Sequence, residues 1–163
     1  MDAKTEQAGK NLTVADRISD RELVVTRRVN APARLVYQAW TTPALMEQWW
    51  VPKSFGITLL SCEMDVRTGG SYRFVFAMPG SDQTMAFFGK YLEAVPNTRL
   101  VWTNEESDEG AVSTVSFDER DGVTLVTVHE IYPSKEALDE AIASGSNGAW
   151  PEQFDALDVL LAA

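Results

Sequence analysis

The chain has 163 residues, enough for one domain that buries roughly 70% of the surface its unfolded form exposes. Hydrophobic residues make up 45% and charged residues 23%, and no apolar run approaches the roughly 18 residues that cross a bilayer, which argues against membrane insertion. Its 14 basic residues against 24 acidic ones give a net charge of −10, which repels phosphate backbones and argues against nucleic acid as a partner.

Met1 to Asp20 is a polar mixture without an apolar h-region. We read residues 1–20 as a flexible tail, residues 21–163 as the folded domain, and the cytoplasm as the location. Cys62 is the single cysteine. It closes no intrachain disulfide, and its alternating apolar surroundings predict a small core residue rather than a nucleophile.

From Glu22 the sequence ELVVTRRVN alternates, with Leu23, Val25 and Val29 on one face, as a strand requires. In NAPARLVYQAW the period changes. Leu35, Val36, Ala39 and Trp40 share a helical stripe, with Asn30 as the expected N-cap and Pro32 in the first turn. Pro43 disfavours helical geometry at Thr42 and should end that helix, after which Leu45, Met46, Trp49 and Trp50 repeat the spacing up to Pro52. Three of the chain's five tryptophans thus fall in a pair of short helices, and each buries on the order of 200 Å². Trp40 and Trp49 fit a core stripe, whereas Trp50 is open between the interior and a partner.

A run of strands follows. GITLLSCEMDV is one; Gly69-Gly70 makes a tight turn; SYRFVFAM alternates Tyr72, Phe74 and Phe76 against Arg73 and Val75. PGSDQ is a loop, and TMAFFGKYLEAV and NTRLVWTNE are the next two strands. NEESDEG lacks the ligand order of a calcium loop and reads as a solvated connection. AVSTVSFDERDGVTLVTVHEIY is a hairpin around Asp121-Gly122. The end is helical, with one stripe of Ala137, Leu138, Ala141 and Ile142, then a stronger one of Trp150, Phe154, Leu157, Leu160 and Leu161.

This order, with two short helices after the first strand, predicts an α+β fold: a curved antiparallel sheet of about seven strands wrapped around a long C-terminal helix. Side chains do not always fill the space between such a sheet and its helix. The remainder is an apolar cavity, a common small-molecule site.

Several phrases also resemble a known family: Arg27 before Ala31-Pro32, Ala39 to Pro43, Trp49 to Pro52, Asp65 to Gly70, Gly89 to Tyr91, and Trp150 opening the last helix. Together they are similar to the START-like superfamily, and more narrowly to bacterial homologues of the C-terminal domain of the activator of heat-shock protein 90 ATPase. The resemblance implies a helix-grip fold, with seven strands, two small helices between strands one and two, and a long C-terminal helix over a cavity. Family members often carry Gly-Trp at that helix, whereas here Gly148-Ala149-Trp150 precedes Pro151, so the helix is expected to start one residue later. Eukaryotic activators engage the chaperone with a separate N-terminal domain, for which no counterpart is read here.

Reactive groups are few. His129 is the only histidine, which leaves no multi-histidine metal site, and no cofactor is implied. The Gly69-Gly70 turn lacks the helix and the Lys-Ser or Lys-Thr of a phosphate loop. Asp65 and Arg67 share a face and read as fasteners, while Arg27 is open between that role and presenting its guanidinium to an anionic ligand. The leading expectation is a binding protein for a small, mostly hydrophobic molecule of lipid-, polyketide- or flavonoid-like character. Its cavity is assigned to Trp50, Tyr72, Phe74, Phe76, Phe88, Trp102, His129, Trp150 and Phe154. Two alternatives stand beside it. One is a module whose partner is a heat-shock protein 90 homologue; the other is a cyclase- or hydrolase-like enzyme using His129, Glu130 or Tyr91 as acid or base, for which two of those groups must converge on one cavity wall.

Overall fold

The computed structural model describes residues 12–51, 53–80, 82–144 and 149–162. Strands β1 (Val14–Arg17) and β2 (Glu22–Val29) come first, followed by helices α1 (Ala33–Thr41) and α2 (Pro43–Trp49) and a short 3-10 turn at Lys53–Phe55. Six further strands follow: β3 (Thr58–Met64), β4 (Ser71–Ala77), β5 (Thr84–Val95), β6 (Arg99–Thr103), β7 (Val112–Arg120) and β8 (Val123–Ile131). Helices α3 (Lys135–Ala143) and α4 (Trp150–Ala162) complete the described chain. The strands form one eight-stranded sheet in the order β1-β2-β8-β7-β6-β5-β4-β3, antiparallel throughout. This is the helix-grip α+β architecture, with one strand more than the seven expected.

The additional strand is β1, which lies in the stretch read as a tail. Its four residues are exposed, yet Val14 to Arg17 pair in register with Thr26 to Leu23 of β2. Ladder hydrogen bonds rather than burial hold it, so no apolar alternation announces it. Residues 1–11 of the expected tail lie outside the described residues.

The turn chemistry works as the residue types require. Thr42 is extended (φ −113°, ψ 117°), which ends α1 before Pro43 opens α2. Asp121 (φ 53°) and Gly122 (φ 79°) take the left-handed geometry of a type I′ hairpin. At Gly70 a Cβ would lie 1.9 Å from the Asp65 carbonyl oxygen, so only glycine fits. The Gly69 and Gly70 amides donate to the carbonyls of Tyr91 and Arg67, which leaves neither for a phosphate. Arg67 Nε donates to both Asp65 carboxylate oxygens at 3.1 and 2.9 Å, an exposed fastener. Asn30 is not the cap of α1. Pro32 takes that position without a side-chain cap, and the Ala33 amide is instead satisfied by Glu119 Oε1 of β7 at 2.8 Å.

The core lies between the inner face of the sheet and the helices, and all five tryptophans of the chain meet there. Trp40 is the hub, with ring centroids 4.8 Å from Trp49, 5.7 Å from Trp50, 5.8 Å from Trp102 and 6.1 Å from Trp150. Trp49 is tied down by its Nε1, which donates to the Ala39 carbonyl at 3.0 Å. The α1–α2 pair is therefore an aromatic plug that closes one end of the grip.

Arg27 fastens the other side. Only 4% exposed, it donates to Asp155 Oδ1 at 2.8 Å and Asp158 Oδ2 at 2.7 Å, both on α4, and to Thr13 Oγ1 at 2.9 Å. The two carboxylates occupy the guanidinium, so it clamps α4 to β2 and does not present itself to an anionic ligand.

Candidate ligand cavity

Between the sheet and the helices lies a half-open cavity of about 520 Å³. The inner faces of β4 to β6 supply Phe76, Met85, Phe87 and Trp102, because alternate residues of a strand share a side. Helix α4 adds Trp150 and Gln153, and α3 adds Ala137, Glu140 and Ala141. The segment after α2 covers one side with Trp50, Val51, Phe55 and Ile57. That cover is pinned to the first turn of α4, since Gln153 Nε2 donates to the Trp50 carbonyl and the Ser54 amide and hydroxyl both donate to the Glu152 carboxylate. Because α2 ends at Trp49, the segment that leaves the plug is also the one that walls the cavity.

A smaller chamber of about 50 Å³ continues inward, lined by Trp40, Tyr72, Phe74 and Tyr91 and sharing Trp50, Phe87, Trp102 and Asn104 with the larger space. Asn104 stands at the junction. Its Nδ2 donates to the Ala111 carbonyl at 2.7 Å and lies 3.3 Å from Ser113 Oγ, and its Oδ1 accepts from the Tyr72 hydroxyl at 3.3 Å. The same hydroxyl donates to the Thr103 carbonyl at 2.7 Å. Burial, reinforced by the charge of Glu106, pushes the Tyr72 phenol well above its ordinary value, and burial does the same to Tyr91. Both stay neutral hydrogen-bonding groups in the physiological range.

Of the residues assigned to the cavity from sequence, Trp50, Phe76, Trp102 and Trp150 line the larger space, and Tyr72 and Phe74 line the chamber. Phe154 is fully buried behind the wall, stacked on Trp150 at 5.4 Å. Phe88 is misplaced. It is 38% exposed on the outer face, and its neighbour Phe87 takes the inward position. Counting back in twos from Tyr91 through Gly89 to Phe87 gives the right face. His129 is also outside. Val126, Val128 and Glu130 point inward from β8, so His129 faces outward, with Nε2 2.8 Å from Glu22 Oε1 of the adjacent β2. Glu130 lines the large cavity and Tyr91 the chamber, so the three acid–base candidates do not share one wall.

Sequence reasoning missed Val51, Ile57, Asn104 and Gln153, which sit on loops or a helix end where no periodicity marks a face. It also read NEESDEG as merely solvated, whereas Glu106 and Glu109 of that loop line the cavity. Cys62 is half-buried on β3, and burial followed by the charge of Glu47 pushes its thiol up to about 11. No described helix is long and apolar enough to cross a membrane.

A curved antiparallel sheet gripping a C-terminal helix over an aromatic cavity defines the class: a START-like helix-grip domain. Within it, the chain belongs to the family described as Activator of Hsp90 ATPase homolog 1-like protein, whose model matches residues 30–162. A protein from Rhodobacter sphaeroides is similar at 25% identity, with a TM-score of 0.84 over 93% of this chain and 98% of that one. One from Chromobacterium violaceum is 29% identical, with a TM-score of 0.71 over 87% and 98%. The fold extends to a Nitrosomonas europaea protein at 22% identity and a TM-score of 0.80, over 90% and 97%. No curated protein is similar enough to match.

Proposed function

We propose that this chain binds a small, mostly hydrophobic molecule, of lipid-, polyketide- or flavonoid-like character, between the sheet and the C-terminal helices. One observation carries the reading: a cavity of about 520 Å³ in the interior of the grip, within the roughly 300–1,000 Å³ of small-molecule sites. Its walls are three indoles, Trp50, Trp102 and Trp150, with Asn104 and Gln153 among the polar groups that orient a ligand. The family description supports a second reading, contact with a heat-shock protein 90 homologue, less directly, because it concerns relatives and not a surface of this chain.

Titration with a panel of lipids, flavonoids and aromatic polyketides tests the proposal, read by tryptophan fluorescence and amide chemical shifts. Saturable quenching with shifts at Trp102, Trp150 and Ala137 is expected. A panel that leaves these signals unmoved, alongside a stimulated chaperone ATPase, would overturn the reading in favour of the second.

A further inference from the structure

We propose that the occupant of this cavity is an organic cation, an apolar and largely aromatic body carrying one protonated or quaternary amine. The inference rests on the binding role proposed above and narrows it. Among the described residues lining the larger cavity, four are glutamates, Glu106, Glu109, Glu130 and Glu140, and none is Lys, Arg or His. They come from the β6–β7 loop, β8 and α3, so the acidic character belongs to the cavity as a whole and not to one loop. Glu106, Glu109 and Glu140 are exposed and Glu130 is half-buried, which puts the charge toward solvent. The indoles supply the complementary feature. A cation within reach of an indole face is attracted by the ring quadrupole, most strongly where water is excluded. An anion entering the same space meets four like charges on a chain of net charge −10.

The inner end of the cavity asks for a different group. Trp40, 1% exposed, lines the small chamber, and its Nε1 is buried without a hydrogen-bond partner among the described residues. A buried N–H left unpaired is costly, and an acceptor brought by the ligand removes that cost. Because the two chambers share Trp50, Phe87, Trp102 and Asn104, one elongated molecule spans both. Its amine stays at the glutamates, and its far end carries an oxygen or nitrogen acceptor for Trp40.

The experiment compares three probes on the full chain by calorimetry: (6-methoxy-2-naphthylmethyl)trimethylammonium, its neutral carbon isostere, and the corresponding sulfonate. The cation is expected to bind at least about tenfold tighter than the neutral isostere, and the sulfonate weakest. The Glu130→Gln/Glu140→Gln double variant should lose most of that preference while holding the neutral probe as before, and Glu63→Gln on the outer face should change nothing. Neutral probe or sulfonate binding as tightly as the cation overturns the charge assignment and leaves the binding role standing. Failure of all three at millimolar concentration while the panel above binds overturns the organic-cation assignment alone, and failure of both sets overturns the binding role itself. In the bound state the Trp40 indole N–H resonance should shift with the methoxy cation and stay put with its desmethoxy analogue; equal behaviour with both removes the acceptor assignment.

Discussion

Replacing Arg27 by methionine tests the clamp that holds α4, and with it Trp150 and Gln153, against the sheet. The guanidinium is 4% exposed, while Asp158 is 20% and Asp155 70% exposed. Removing one member of a buried ion pair costs about 3–5 kcal/mol. The Asp155 arm is screened and contributes little, about 0–1 kcal/mol. Arg27 Nε is itself buried without a partner among the described residues, and deleting it returns about 1 kcal/mol. The net expectation for Arg27→Met is a loss of about 2–5 kcal/mol, or a fall in Tm of about 4–20 °C for a chain of this size. The double variant Arg27→Met/Asp158→Leu should recover most of the loss, because a packed apolar pair replaces an uncompensated charge. Urea denaturation and thermal melts of the four proteins in the cycle measure both quantities. A single variant within about 0.5 kcal/mol of the parent, the range of ordinary surface substitutions, would refute the clamp, as would a double variant no better than the single.

Asn104→Leu should cost about 1–3 kcal/mol in urea denaturation, since it strips the Ala111 carbonyl of its partner and the Tyr72 hydroxyl of one of two acceptors. With its pKa pushed up to about 11, Cys62 should react with iodoacetamide at mildly alkaline pH well below the rate of a free thiol, and at the free rate in denaturant. Hydrogen bonds from Ser19 and then His129 hold the Glu22 carboxyl below its ordinary 4.5. A depressed carboxyl stabilises the fold above the unfolded value and loses that contribution as pH falls through the folded one. Hence the stability gap between the parent and Glu22→Gln should be full at neutral pH and close below 4.5, and a carboxyl NMR titration of Glu22 should show its midpoint rising in Ser19→Ala.

Where local chemistry and burial agree, the fold was legible in the residues. Pro43 after Thr42, Asp121-Gly122, and the alternation of Tyr72, Phe74 and Phe76 each have one physical solution, and together they order the helices and central strands. Strand β1 was not legible, because exposed residues held by ladder bonds and the Arg17–Asp139 ion pair carry no apolar pattern. Phe87 and Phe88 are adjacent aromatics, so composition does not choose between them. The irregular register between Tyr91 and Glu93 breaks the count from the other side. His129 failed similarly, since Leu125 and Ile131 make the outer face of β8 partly apolar. The acidic lining of the cavity escaped because its four glutamates come from the β6–β7 connection, β8 and α3, segments far apart in sequence that only the fold brings around one space.

Intermolecular NOEs, measured on the chain saturated with a naphthalene probe of the series above, distinguish a ligand held inside the grip from one on the outer face of the sheet. A ligand in the cavity gives contacts from the probe ring to the side chains of Trp50, Phe76, Trp102 and Trp150 and none to Phe88 or His129. Contacts confined to the outer face, at Phe88, Leu92 or His129, would contradict it.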